Sequence, residues 1–382
     1  MMTIAHIGPP YLPILFSRGG AIERRMRETA AVQAQSGSRV LLYSAEEKSG
    51  IAEHRGAEVH AIACKQNGVV RAAEFMRKSL RDVRQYKPDV IHFHSLPEGA
   101  AFTRLFARGL DAKTVLQFDH FVFRHGKENP LFSWYRRALG YFSALLPVSS
   151  YCRRESADYW SIPEDRMEVL YNGVSLQQFQ PDPGAAATRR AAIGIAPGEL
   201  VLLYVGRVCE QKGSDLLVHA YSKLRSEGRK EVRLVMAGPI GQFGQGGSAA
   251  ITDLLKQNDG IYLGPVEEEI LPSVYNMADI FVLPTRHSEM FGMAAIEAQA
   301  CGRPVVCSNH GGLPEVINQF SGLLFPTGDV DALAQQLRTL LDDPGLRERF
   351  QHAAVTNAKR FAWETVTAQL QGIYERAARR PS

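Results

Sequence analysis

The stretch DIFVLPTRHSEMFGMAAIEAQACGRPVVCS, residues 279–308, predicts a strand, a helix and a second strand of a parallel sheet. DIFVLP (279–284) and RPVVCS (303–308) are short apolar runs typical of buried strands. MAAIEAQAC lies between them, is rich in Ala and lacks Gly and Pro, so it favours a helix. Parallel neighbours need such a crossover helix, and the stretch therefore predicts an α/β fold.

The same alternation extends in both directions along the chain. Strands are predicted in the first half at 3–8, 39–44, 89–95, 114–120 and 144–150, and in the second half at 200–206, 232–238 and 260–264. Residues 180–199 are rich in Pro, Gly and Ala without periodicity and predict a hinge. The sequence thus predicts two Rossmann-like domains in tandem with an inter-domain cleft. We place them at 1–182 and 183–363, and expect a last helix at about 364–382 to pack back on the first domain.

Composition narrows the class of protein. The 382 residues are 45% hydrophobic and 22% charged, and the net charge of +4 gives no general support for binding nucleic acid. Five cysteines without a C-x-x-C pair argue against a disulfide framework or a zinc knuckle. No basic region followed by an apolar run begins the sequence, and no window reaches the roughly 20 apolar residues of a membrane span. We expect a cytoplasmic protein, with contact at the inner membrane face as an option.

Two cations follow the first strand of the second half. Arg207 comes directly after it, and Lys212 stands before Gly213 and a helix start. A parallel sheet binds ligands beyond the carboxyl ends of its strands, and two cations there suit a diphosphate. The alternative is ordinary surface charge on a solvated loop.

The opening stretch adds a helix start and two carboxylates. Phe291, Gly292 and Met293 stand where unpaired N–H groups and the positive end of a helix favour an anionic phosphate. Glu297, about a turn further on, could accept hydroxyls of a ribose, and Glu289 in the preceding loop would reach toward a sugar. The alternative makes Glu297 one polar residue on a buried helix and Glu289 an exposed loop residue.

Two further loops could line a nucleotide base. AGPIGQFGQGGSAA (237–250) lacks the residues of a P-loop and the spacing of a dinucleotide fingerprint, so a flexible loop beside a base and a plain surface turn both fit. The backbone at Val266 could lie beside a base in the same way.

Two patterns resemble metal sites, and we interpret both as structural. His92 and His94 alternate at a strand end, but no third ligand follows at a sensible spacing. Asp329 and Asp331 form a D-x-D, which we interpret as the N-cap and first-turn acid of a helix over 330–341.

Five segments together resemble the retaining glycosyltransferases of family 4 (glycosyl transferases group 1), which have the GT-B fold. They are VLYNGVSLQQFQP (169–181), VGRVCEQKG (205–213), EMFGMAAIEAQACGRPVV (289–306), GGLPEVI (311–317) and GLLFPTGDVDALA (322–334). The resemblance implies a donor held mainly by the C-terminal domain and an acceptor held mainly by the N-terminal one. It assigns the donor to Gly19, Gly20, Arg207, Lys212, Val266, Glu289, Met290, Phe291, Gly292, Met293 and Glu297.

In the first half, the resemblance places His120 near the transferred sugar, as a catalytic residue with Arg207, Lys212 and Glu289. The family order is His then Asp, whereas here Asp119 precedes His120, so Asp119 is given only a supporting role. Arg18 and Asn172 are candidate acceptor contacts. We interpret the neighbouring arginines Arg24, Arg25 and Arg27 as a solvated helix face.

The function predicted is transfer of a sugar from a nucleoside diphosphate to an acceptor hydroxyl, with retention and without a metal or other cofactor. The donor expected is UDP-glucose or UDP-N-acetylglucosamine, with GDP-mannose next. The acceptor is a glycan, a lipid-linked sugar or a small metabolite such as an aminocyclitol. An epimerase or hydrolase and a non-catalytic nucleotide-sugar-binding protein are alternatives.

A peripheral membrane contact is one further hypothesis. Basic residues at Arg77, Lys78, Arg81, Arg84 and Lys87, and the basic aromatic run 121–142, could contact anionic lipid, although a solvated helix face explains the first group as well. Membrane contact predicts salt-sensitive binding to acidic liposomes in a flotation assay. Equal binding to acidic and neutral liposomes at low salt would contradict it.

Overall fold

The computed structural model describes residues 1–15, 20–64, 68–119, 132–241 and 249–379. The chain divides into two compact units, one of Met1–Gly173 with Trp363–Ser382 and the other of Val174–Ala362. This division lies between Gly173 and Val174, whereas the sequence suggested 182/183. Residues 180–199, predicted to be an irregular hinge, contain a helix at Pro183–Ala192, because Asp182 caps it by accepting from the Ala185 N–H and Pro183 suits its first turn.

The first unit is built on a sheet of seven strands among the described residues. All neighbouring strands are parallel except β3, which pairs antiparallel with β4 at one edge, and the order is β3-β4-β2-β1-β5-β6-β7. The strands are β1 Thr3–Ile7, β2 Arg39–Glu46, β3 Gly50–His54, β4 Ala57–Ala63, β5 Val90–His94, β6 Lys113–Phe118 and β7 Ala144–Pro147. The helices are α1 Ala21–Gln35, α2 Gly68–Tyr86, α3 Gly99–Phe106, α4 Phe132–Leu139, α5 Ser150–Trp160 and, after the second unit, α14 Trp363–Arg379.

The second unit carries a fully parallel sheet of six strands among the described residues, in the order β10-β9-β8-β11-β12-β13. Its strands are β8 Leu200–Val205, β9 Val232–Ala237, β10 Ile261–Gly264, β11 Ile280–Leu283, β12 Val305–Ser308 and β13 Gly322–Phe325. Its helices are α6 Pro183–Ala192, α7 Ser214–Ser226, α8 Ala249–Gln257, α9 Leu271–Asn276, α10 Met293–Ala300, α11 Leu313–Val316, α12 Val330–Asp342 and α13 Pro344–Ala358. Asp329 caps α12 by accepting from the Ala332 N–H at 2.9 Å, which confirms its structural interpretation.

The last helix belongs to the core of the first unit. Val366, Leu370 and Ile373 pack with strand residues such as Ile4 and Val90, and all of them are buried. The chain therefore enters the second unit after Gly173 and returns at Trp363 to complete the first.

A buried polar cluster lies in the first unit, where β1 and β5 pair. His6 of β1 and His92 and His94 of β5 are fully buried, so a third imidazole does join the two seen in the sequence, from a strand upstream of them. Arg25 and Arg27 of α1 are also buried, at 1% and 8% exposure. The prediction that they form a solvated helix face was wrong, because Arg25 donates to His94 and Asp119 and Arg27 donates to the Ile14 carbonyl oxygen.

Burial makes this cluster sensitive to acid. It lowers the pKa of His6 from 6.5 to about 4, with Gln33 opposing and Arg25 reinforcing the change, and it lowers the pKa values of His92 and His94 well below the ordinary value. In the unfolded chain His6 therefore binds a proton below about pH 6.5, whereas in the folded unit it does so only below about pH 4. The stability contributed by these neutral imidazoles is present above pH 6.5 and declines as the pH falls toward 4.

We predict that the first unit loses about 2 kcal/mol of unfolding free energy between pH 7 and pH 5 from His6 alone. All three tryptophans (Trp134, Trp160 and Trp363) belong to this unit, so fluorescence during denaturant unfolding reports on it selectively. His6→Asn should reduce the pH dependence, whereas His219→Asn, on an exposed position of α7, should leave it unchanged. Equal pH dependence in His6→Asn and the natural protein would contradict the prediction.

Candidate functional site

The loops that follow β8 and β11 form the center of the candidate site in the second unit. These two strands are neighbours, while the chain continues from β8 to β9 on one side and from β11 to β12 on the other. Such a reversal leaves a crevice at the carboxyl ends of the strands, where α/β sheets bind ligands.

Lys212 and Glu289 meet across these two loops. The Lys212 Nζ donates to Glu289 Oε2 at 2.5 Å, and each side chain is 23% exposed. The side chain predicted to bind a phosphate, Lys212, and the one predicted to bind a sugar, Glu289, thus form one partly accessible ion pair. Each charge compensates the other, and a diphosphate would compete with Glu289 for the ammonium group.

Backbone contacts fix the relative position of the two loops. Gly213 has φ +66°, and a Cβ added there would lie 1.8 Å from the Pro284 carbonyl oxygen, so only glycine allows this approach. The Arg286 N–H donates to the Gln211 carbonyl oxygen at 3.0 Å, and the Arg286 guanidinium holds both carboxylate oxygens of Asp215. Lys212 and Glu289 are therefore presented by a rigid frame.

A third loop, after β12, supports Glu289 from its other side. The Gly312 N–H donates to the Glu289 carbonyl oxygen at 2.7 Å, and the Ser288 hydroxyl and His310 Nε2 are 3.1 Å apart. The sequence analysis did not assign Ser288 or His310 to the site. Their only sequence signal was the GGLPEVI segment that follows His310.

The start of α10 lies directly after this frame. Gly292, at φ +107°, is the N-cap, and a Cβ there would lie 2.6 Å from Leu313 Cδ2. Met290 and Phe291 are buried, whereas Met293 is half-buried. The first turn of the helix can thus present backbone N–H groups to an anion at Met293, but the side chain of Phe291 packs inward, with its ring centroid 5.7 Å from that of Phe361.

Glu297 is more deeply placed than the other candidates. It is 4% exposed, and its Oε2 accepts a hydrogen bond from the hydroxyl of buried Tyr275 at 2.7 Å. The structure therefore adds Tyr275 as a residue that orients this carboxylate. Contact of Glu297 with a ribose stays a prediction.

Arg207 and Val266 are half-buried at the ends of β8 and β10. The Tyr204 hydroxyl donates to the Arg207 carbonyl oxygen at 2.5 Å. Burial raises the pKa of Tyr204 most strongly, and Cys209 and Glu289 raise it further, while the charge of Arg207 acts to lower it. The charges of Arg207 and Glu289 therefore both act near this hydroxyl.

The remaining candidates fall partly outside the described residues. Arg18, Gly19, His120, residues 242–248 of the predicted base loop and residues 121–131 of the basic aromatic run lie outside the described residues. Gly20 is the N-cap of α1, and Asn172 is buried, with its Oδ1 accepting from Arg25 at 3.1 Å. The donor roles of Gly19 and Gly20, the acceptor roles of Arg18, His120 and Asn172, and the catalytic role of His120 stay predictions.

The structure also bears on metals and membranes. The ligand atoms of His6, His92 and His94 lie within 4.8 Å of one another, close enough to hold a metal ion. Arg81 and Arg84 of α2 are exposed, as is Lys87 directly after the helix, while Lys78 pairs with Glu74. None of the described helices has the length and apolar character needed to cross a bilayer.

Two sequence profiles match the chain. The profile described as Glycosyltransferase Family 4 matches residues 19–178, and the one described as Glycosyl transferases group 1 matches residues 186–356. The second match contains Arg207, Lys212, Glu289 and Glu297.

Curated relatives include D-inositol 3-phosphate glycosyltransferases of several bacterial species. That of Mycobacteroides abscessus is 40% identical over 218 residues, which is 56% of this chain and 47% of the relative. That of Streptomyces bingchenggensis is 32% identical over 238 residues, which is 59% of this chain and 51% of the relative. The match thus covers about half the length of these relatives.

Solved structures resemble the chain over nearly its whole length. A glycosyltransferase from Rickettsia africae has a TM-score of 0.80 at 20% identity and covers 99% of each chain. HepE of Anabaena, solved in complex with UDP, has a TM-score of 0.79 at 17% identity and covers 98% of this chain and 100% of its own. At these identities the likeness shows the fold alone. The two profile matches together show that the chain belongs to the glycosyltransferases of group 1 and family 4, and the solved structures show its GT-B fold.

Proposed function

We propose that this protein transfers a sugar from a nucleoside diphosphate to a hydroxyl of an acceptor, with retention at the anomeric carbon. The observation that carries the proposal is the ion pair of Lys212 and Glu289 at the crevice between β8 and β11. A cation for the diphosphate and a carboxylate for the sugar are there held side by side, next to the start of α10. The donor sugar is a hexose such as glucose or N-acetylglucosamine, carried by UDP.

The site residues divide the chemistry by charge. Departure of the diphosphate leaves positive charge on the sugar and negative charge on the leaving group. Arg207, Lys212 and the N–H groups at Met293 stabilise the leaving group, and we propose that they do so without a metal. Lys212 passes from Glu289 to the diphosphate on donor binding, which leaves the carboxylate to accept hydroxyls of the donor sugar.

The acceptor is the least specified part of the proposal. The relatives named D-inositol 3-phosphate glycosyltransferases favour a polyol or its phosphate, such as a cyclitol, over a polymer. We expect the first unit to provide the acceptor contacts.

A panel of sugar nucleotides tests this function. Thermal shift with UDP, GDP and ADP sugars identifies the donor, and mass spectrometry with D-inositol 3-phosphate, myo-inositol and simple glycosides identifies the product. Proton NMR of the product decides between retention and inversion, and activity in EDTA tests the independence from metal. Donor turnover without glycoside would indicate a hydrolase or an epimerase, and donor binding without turnover would indicate a binding protein.

Removing either cation should slow the reaction. We predict that Arg207→Ala and Lys212→Ala each lower kcat about a hundred- to thousandfold, since one preorganised donor to a developing anion contributes about 2.7 to 4 kcal/mol. Steady-state kinetics under saturating donor measure this effect. Lys223→Ala is a matched control, because Lys223 forms an exposed ion pair with Asp331 in the same unit. Near-normal rates in both site variants would overturn the assignment.

Glu297 should affect donor affinity more than turnover. We predict that Glu297→Gln weakens binding of the nucleoside diphosphate about ten- to hundredfold, as expected for the loss of charge-assisted hydrogen bonds to two hydroxyls. Calorimetric titration with UDP measures the affinity, and Glu227→Gln, whose carboxylate pairs with Arg338 on the surface, serves as the control. An unchanged affinity together with a lowered melting temperature would show that Glu297 is only a core residue.

A further inference from the structure

The polar cluster of the first unit occupies a position equivalent to that of the donor site. Apart from the edge strand β3, the first sheet has the same order as the second, and its reversal lies between β1 and β5. His6 stands on β1, His94 ends β5, and Asp119 follows β6. The cluster therefore reaches the edge of the sheet where ligands bind in folds of this kind.

The hydrogen bonds of the cluster have a fixed direction. The Arg25 Nε–H can only donate, so His94 Nδ1 accepts at 3.3 Å and a neutral His94 carries its proton on Nε2. That proton points to His6 Nδ1 at 2.9 Å, and His6 Nε2 in turn donates to Gln33 Oε1 at 2.8 Å. Arg25, His94, His6 and Gln33 form one chain of donors and acceptors, hereafter the imidazole chain.

This direction opposes a metal ion at the three histidines. His6 Nδ1 and His94 Nε2 are hydrogen-bonded to each other, and His92 Nδ1 is 2.6 Å from the Tyr374 hydroxyl, so only His92 Nε2 lacks a partner on this histidine among the described residues. A cation would also face the Arg25 guanidinium, which is 1% exposed.

The other end of Arg25 fixes a carboxylate. Its Nη1 donates to Asp119 Oδ2 at 3.2 Å and to Asn172 Oδ1 at 3.1 Å, while the Ser95 hydroxyl donates to Asp119 Oδ1 at 2.9 Å. Both oxygens of Asp119 therefore have donors that set its orientation. Asp119 is 8% exposed, and so it is the member of the ion pair with Arg25 that reaches the surface.

The cost of this arrangement suggests a function. A buried ion pair is seldom more stable than apolar residues of similar size, and Arg25 Nη2 is buried without a hydrogen-bond partner among the described residues. Ser95, which holds Asp119, has φ +52°, a conformation that is uncommon for residues other than glycine. Packing alone does not explain why these features occur together at a ligand-binding edge.

We propose that Asp119 binds the acceptor by accepting hydrogen bonds from its hydroxyl groups, and that Arg25 and the imidazole chain are positioning residues that hold this carboxylate. The inference rests on the proposed function and specifies its acceptor as a polyol with neighbouring hydroxyls, such as a sugar or a cyclitol. A carboxylate can accept two such hydroxyls at once.

An exchange of two side chains separates recognition from structure. Asp119→Asn removes the charge, and the double variant Asp119→Asn with Asn172→Asp restores one carboxylate and one amide around Arg25. We expect Asp119→Asn to raise the acceptor KM about ten- to hundredfold, with the donor KM and the slow hydrolysis of donor by water unchanged. The double variant should recover the unfolding midpoint seen by tryptophan fluorescence but not the acceptor KM.

A second pair of variants tests the positioning role. The single nitrogen of Arg25→Lys cannot contact His94, Asp119 and Asn172 together, so the acceptor KM should rise while UDP affinity stays normal. Arg55→Lys, whose side chain pairs with Glu28 on the surface of the same unit, should leave both constants unchanged. The probes are myo-inositol, D-inositol 3-phosphate and methyl glucoside, with the donor from the panel.

The outcomes are distinct. Recovery of both stability and acceptor KM in the double variant would overturn the inference in favour of a structural role, as would normal acceptor kinetics in Asp119→Asn. One equivalent of zinc in the purified protein, together with a melting temperature that a chelator lowers, would show a metal at the three histidines and overturn the hydrogen-bond assignment of the imidazole chain. If no glycoside forms with any of the three polyol probes, the assignment of the acceptor as a polyol would be overturned. If the natural protein does not bind UDP or another nucleoside diphosphate at all, that result would instead contradict the proposed function.

Discussion

Parallel strand pairing is the constraint on which the rest of this molecule depends. Each parallel connection returns to the same edge of the sheet, so the loops after β8, β11 and β12 are brought together although they are far apart in sequence. In the second unit this brings Lys212 within hydrogen-bond distance of Glu289, and the Glu289 backbone within reach of Gly312. The crevice and its charges follow from strand order rather than from any local motif.

Each unit contains an ion pair at the end of its sheet, and the two pairs differ in how far they are exposed. The pair of Lys212 and Glu289 is partly exposed, so its partners can exchange for those of a ligand at modest desolvation cost. Arg25 and Asp119 are much more buried, and the neutral histidines beside them add no further positive charge. An exposed pair suits a group that must move on binding, whereas a buried pair suits a group that must stay in place.

The two units use one strand order for these two purposes. In both, the reversal lies next to the first strand, between β1 and β5 or between β8 and β11. In the second unit the reversal carries glycines and a helix start that admit an anion, whereas in the first it is filled by imidazoles and a guanidinium. The same backbone topology thus supports the predicted phosphate site in one unit and a buried polar cluster in the other.

The sequence by itself determined most of the strands, because buried parallel strands are short apolar runs bounded by turn residues. It did not reveal β13, a four-residue strand at the edge of the second sheet. It also missed β3 and β4, whose residues include Glu53, Glu58 and His60, since this hairpin lacks the continuous apolar signal. Helix α6 was also missed, because its Ala and Arg residues show no apolar stripe.

For the site, the sequence indicated Arg207, Lys212, Glu289 and the start of α10, because they lie in or at the end of the loops that follow apolar strands. Only the tertiary structure decided that Lys212 and Glu289 are partners, that Tyr275 orients Glu297, and that Arg25 points into the unit. Side-chain partners more than twenty residues apart depend on how helices pack on the sheet, and no local spacing encodes that packing. The sequence specified which groups are available, and the packing of the folded chain specified which of them meet.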